Sequence, residues 1–83
     1  MGEKLVYDIS ELRDDELDAC RELLDYLDED TSEENIDHLF DMDILSLYQD
    51  GETWYVIYRK ENEKGEPIKE AAIRIDEFEI IKI

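Results

Sequence analysis

Apolar positions recur with two different periods along the chain. After a short stretch, Lys4 to Tyr7, that predicts an edge strand, Leu17, Cys20, Leu24 and Leu27 step by 3, 4 and 3, with Leu23 beside them. That spacing puts them on one face of a helix over Asp8 to Asp30. Asp8, Ser10 and Asp14 are all competent N-caps for it. Asp30-Thr31-Ser32-Glu33-Glu34 then predicts a break and restart, because Thr31 followed three residues later by Glu34 is a capping-box pattern. Ile36, Leu39 and Phe40 form the apolar edge of this second, shorter helix.

From Ile44 the period shortens to that of strands. Ile44 to Tyr48, Asp50-Gly51 and Thr53 to Lys60 predict a hairpin, since Asp-Gly tolerates the positive φ angles of a type I′ turn. A looser connection, Glu61 to Pro67, leads to a strand over Ile68 to Asp76. Glu77 to Ile83 is either a fourth strand after a tight turn or a continuation past a bulge. The pattern predicts one α+β domain over residues 1–83, with an acidic helical half, 8–43, and a sheet half, 44–83. Two N-terminal helices are expected on one face of a three- to five-stranded antiparallel sheet.

Charge changes this picture most. Nine Lys and Arg against 26 Asp and Glu give a formal charge of −17 and a pI near 4.1, while 42% of the residues are apolar. That much core material predicts a folded domain rather than a disordered acidic tail. Direct binding to nucleic acid or to an anionic membrane is excluded as an expectation, and a basic partner is implied. Up to Asp43 there are 17 acids and 3 bases, net −14; beyond it, 9 acids and 6 bases, net −3. Halophilic adaptation would spread acids over the whole surface, and the split between halves runs against it.

Within the first helix, Glu11, Asp15, Asp18, Glu22, Asp25 and Glu29 step by 4, 3, 4, 3 and 4. They line a face about 160° from the leucines, along about 27 Å of helix at 1.5 Å per residue. Asp14, Asp28 and Asp30 thicken the stripe to nine carboxylates. Like charges four residues apart cost a helix about 0.2 to 0.5 kcal/mol each, and acids near its C-terminus oppose the dipole. A patterned loss of local stability points to a functional constraint, although a solvated face is the plain alternative. Duplex DNA carries a phosphate about every 3.4 Å per strand, a density that nine carboxylates approach.

By its size, its acidity and its order of two helices before an antiparallel sheet, the chain resembles the phage-encoded nucleic-acid mimics. The uracil-DNA glycosylase inhibitor and the small acidic anti-CRISPR proteins are among them. The inhibitor's Glu-Ser-Ile strand motif does not occur here, so the resemblance assigns no site residue. What it implies is a stoichiometric inhibitor that fills the basic groove of a nucleic-acid enzyme, a CRISPR nuclease first and a DNA repair or restriction enzyme next.

Other residues carry less. Cys20 is the only cysteine, which leaves no disulfide framework and no cysteine-based zinc site and fits a reducing bacterial cytoplasm. On the leucine face it reads as a small core hydrophobe. His38 reads as a helix-surface residue. Asp28, Asp30 and Ser32 open like a calcium loop, but Glu33 stands where its glycine belongs and Leu39 at position 12. No apolar run is long enough to span a bilayer or to act as a secretory signal, and Val6 replaces the Ser or Thr of a myristoylation pattern. No cofactor is expected. With one histidine and little room for a pocket that shifts pKa values, the chain does not read as an enzyme. The alternative function is a small acidic adaptor that docks a host protein through its open sheet face, with Trp54 and Tyr55 as anchors.

Overall fold

The computed structural model describes residues 2–4, as backbone, and residues 9–81. The fold is α+β. In chain order it runs β1 (Gly2–Lys4), a 3₁₀ turn (Ile9–Glu11), α1 (Asp14–Tyr26), α2 (Glu33–Asp41), β2 (Leu45–Asp50), β3 (Thr53–Glu61), β4 (Pro67–Arg74) and β5 (Glu79–Ile81). The five strands form one antiparallel sheet in the order β1-β2-β3-β4-β5. The helices therefore follow a first strand and are not N-terminal. That strand comprises Gly2–Lys4, with Gly2 opposite Gln49 and Lys4 opposite Leu47. The rest of the expected edge strand, Leu5 to Tyr7, lies outside the described residues.

One parity of β2, β3 and β4 supplies the core. Leu45 and Leu47 of β2, Val56 and Tyr58 of β3, and Ala71 and Ile73 of β4 join Ala19, Cys20, Leu23, Leu24, Ile36, Leu39 and Phe40 in one buried cluster. α1 touches β3 and β4, and α2 touches β2. The helix-period leucines and the strand-period residues thus meet in a single apolar interior.

The hairpin β2–β3 closes around Gly51-Glu52, not Asp50-Gly51: Asp50 pairs with Thr53, and only Gly51 has positive φ, at 64°. Positive φ at the first turn position alone is the signature of type II′, which accepts Glu52 second. The β3–β4 register shifts between Lys60 and Glu61. β5 is a separate strand after the turn 75–78, in which Phe78 has φ 50°.

Both helices end in the same way, and this sets their lengths. After α1, Asp28 takes φ 61°, its N–H donates to the Asp25 carbonyl at 3.2 Å, and the Glu29 N–H donates to the Leu24 carbonyl at 2.8 Å. After α2, Asp43 takes φ 59°, with Asp43 donating to Phe40 and Ile44 to Leu39 at 3.2 and 2.9 Å. Each is a Schellman motif with aspartate at the left-handed position where glycine is usual. The first helix therefore stops at Tyr26, four residues short of the expected Asp30. It also starts late. Its N-cap is Arg13, whose N–H donates to Glu16 Oε1 at 2.8 Å, and not Asp8, Ser10 or Asp14. α2 is capped by Ser32, whose hydroxyl accepts from the Asn35 N–H at 3.2 Å, one residue after the expected Thr31.

Candidate acidic interface

α1 is a 13-residue helix, about 18 Å long rather than 27 Å. Glu16, Ala19, Cys20, Leu23 and Leu24 are its buried residues, and Asp14, Asp15, Asp18, Glu22 and Asp25 centre about 160° away, all exposed. The rest of the expected stripe is not on this helix. Glu11 belongs to the 3₁₀ turn, and Asp28 and Asp30 are exposed in the loop that follows. Glu29 turns away altogether. Its carboxylate meets Lys69 Nζ of β4 at 2.6 Å, so it ties the end of the helical segment to the sheet.

The second helix extends the surface in a direction the single-helix reading missed. Glu33, Glu34, Asp37 and Asp41 are all exposed on α2. The signal was present, since 34, 37 and 41 repeat the 3 and 4 spacing. Arg21 bridges the two helices, 3.9 Å from Asp18 and 3.7 Å from Glu33. Among the described residues no basic side chain lies within ion-pair distance of Asp14, Glu22, Asp25, Glu34, Asp37 or Asp41. Residues 13–43 carry 14 acids and two arginines, 2 − 14 = −12. The result is a two-helix acidic surface rather than one straight line of charge.

Several carboxylates have local work instead. Glu16 is buried, caps Arg13 and lies 3.7 Å from the Arg13 guanidinium. Asp30 accepts from the backbone and hydroxyl of Ser32 at 3.0 and 3.1 Å, so the residues resembling a calcium loop form a turn that leads into α2. Cys20 is fully buried, and burial first and the Glu16 carboxylate second push its thiol up to about 12. That thiol is not a nucleophile. His38 is exposed on α2. Tyr58 is buried and its hydroxyl, facing Glu29, has no hydrogen bond of full geometry. Its pKa is raised by burial first and by Glu29 second, with Lys69 opposing.

The expected aromatic anchors separate. Trp54 shares the parity of Val56 and Tyr58 and packs against the core, whereas Tyr55 lies on the other face. There Tyr55 is tilted against Tyr48, ring centroids 6.3 Å apart, over a shallow open depression lined by Asp50, Ile57, Ala72 and Ile81 as well. Among the described residues no helix is long and apolar enough to cross a membrane. No family model, curated protein or solved structure matches the chain.

Proposed function

We propose that this domain is a stoichiometric protein inhibitor that presents the carboxylates of α1 and α2 in place of nucleic-acid phosphates. It fills the basic groove of a nucleic-acid enzyme in the bacterial cytoplasm, a CRISPR nuclease first and a DNA repair or restriction enzyme next. In this reading the helices cover one face of the sheet and hold the acidic surface rigid, so that little ordering entropy is lost on binding. It performs no catalysis of its own.

One observation carries the reading. Asp14, Glu22, Asp25, Glu34, Asp37 and Asp41 project outward without basic partners among the described residues, although Lys or Arg at alternate places would firm both helices. Aspartate even occupies both left-handed helix stops, where it meets the negative end of the dipole. A groove lined with Lys and Arg attracts such a surface at long range and gains affinity from the same charges that bind phosphate.

The test is inhibition of a panel of purified nucleases and repair enzymes by the wild-type domain and by Asp18→Lys/Asp25→Lys. Both positions are exposed, so the fold is kept, and inhibition of the susceptible enzyme should weaken by about tenfold or more. Equal inhibition by the double variant rejects mimicry through this face.

A further inference from the structure

The outward parity of the sheet carries an apolar patch set between charged residues. Tyr48, Tyr55, Ile57 and Ile81 are half-buried and surround Ala72, with Tyr48 opposite Tyr55, Ile57 opposite Ala72 and Ala72 opposite Ile81. The lining forms a depression of about 290 Å³, open to solvent, to which neither α1 nor α2 contributes a side chain. Paired tyrosines beside aliphatic side chains are the composition of interface anchors, because a tyrosine ring buries large area while its hydroxyl keeps a polar handle.

The charges around the patch specify its occupant. The two arginines are already held: Arg74 by Asp76 at 2.8 Å and Glu77 at 3.7 Å, Arg59 by Glu61 at 3.1 Å and Glu70 at 3.9 Å. Asp50 lines the depression, and Glu79 stands opposite Arg74 in the register; neither has an ion-pair partner among the described residues. Among the described residues, these two arginines and six carboxylates leave 2 − 6 = −4 around an apolar centre. A second copy of the chain would bring the same negative rim and a further charge of −17. A segment with apolar side chains in its middle and Lys or Arg at its ends meets both requirements at once.

We propose that the outer sheet face, centred on Tyr48, Tyr55, Ile57, Ala72 and Ile81, docks an apolar polypeptide segment flanked by Lys or Arg. This site is separate from the α1–α2 surface and stands independently of the mimicry reading. The acidic surface lies on helices that share a core with the inward parity of the sheet, and the patch lies on the outward parity, so one domain can hold a groove through its helices and a basic, apolar segment through its sheet.

The experiment uses the full chain and two display libraries of short peptides with randomised centres, one with fixed lysine flanks and one with fixed glutamate flanks. The peptide most enriched is then titrated into the isotope-labelled domain by NMR. Enrichment of apolar centres from the lysine library alone, with saturable shifts at Tyr48, Tyr55, Ile57, Ala72 and Ile81, is the expected result. Ile57→Thr keeps a β-branched residue in the strand and should weaken the selected peptide by about tenfold, the effect of losing one anchor. Asp18→Lys/Asp25→Lys should leave peptide binding unchanged, and Ile57→Thr should leave enzyme inhibition unchanged, so the two readings fail separately. The proposal is overturned by any of four results: no enrichment, equal enrichment from both libraries, shifts confined to α1 and α2, or a dimer in sedimentation that Ile57→Thr abolishes.

Discussion

Replacing Asp28 by glycine should make the domain more stable, and the size of the gain follows from where Asp28 sits. Its φ of 61° is left-handed, a conformation that costs an L-residue about 1 to 2 kcal/mol, with Asp at the lower end. Glycine removes that cost but returns about 0.4 to 1 kcal/mol through its greater freedom in the unfolded chain. Taking a negative charge away from the C-terminal end of α1 adds about 0.3 to 1 kcal/mol. A weak attraction between Asp28 and Lys69 is lost and offsets a small part. The net is about 0.5 to 1.5 kcal/mol. For a domain of 83 residues that corresponds to a rise of about 3 to 9 °C in thermal midpoint, measured by calorimetry at low salt. Asp28→Asn keeps a side chain that tolerates the left-handed region and removes only the charge, so it should show about the electrostatic 0.3 to 1 kcal/mol alone. If neither variant melts above the wild type, acids at the helix stops cost nothing and the inference from forgone stability collapses.

Other outcomes are equally specific. Leu24→Ala should destabilise by about 2 to 5 kcal/mol in urea, because its side chain is fully buried in the core cluster. Cys20 should resist thiol reagents in the native state and react at the rate of opening, whereas labelling as fast as a free thiol would place it outside the core. Stability should fall as the solution is made alkaline. Cys20, Tyr58 and Lys69 all hold their protons more tightly folded than unfolded; the contribution of Cys20 is complete below pH 9 and is lost as pH rises toward about 12, and burial of Tyr58 and the hydrogen bond that Lys69 donates to Glu29 act in the same direction. Cys20→Ala should flatten the first part of that decline in urea midpoints, and an unchanged slope would contradict the burial of the thiol.

What was legible in the chain was its periodicity. The helical step of Leu17, Cys20, Leu24 and Leu27 and the alternation around Val56 and Tyr58 point to the core: Cys20, Leu24, Val56 and Tyr58 are buried in it, whereas Leu17 and Leu27 are half-buried at its edge. The limits of the elements were not legible, because the stop signals are aspartates in a conformation that composition assigns to glycine. The start was hidden for a similar reason. Arg13 has no side-chain acceptor to act as a cap, and the partner of its backbone is a carboxylate, Glu16, that leaves the surface and is buried. Glu29 fits the stripe by spacing yet joins Lys69, 40 positions away, a pairing that no local pattern carries. The acids of α2 had the right spacing, but only the Arg21 bridge to Glu33 shows that they continue the surface of α1. Strand alternation already sets Trp54 and Tyr55 on opposite faces, and only the fold shows that the face of Trp54 is the one turned to the core.

In the proposed function the α1–α2 surface takes the place of nucleic acid. Its most direct test is a gel-shift competition between the domain and duplex DNA for the enzyme that the domain inhibits, repeated at rising salt. The two ligands should exclude one another completely, and the domain's association with the enzyme should slow steeply as salt screens charge over a Debye length of about 10 Å at 0.1 M. A ternary complex in which the enzyme holds DNA and the domain together, with an association rate indifferent to salt, would contradict the account.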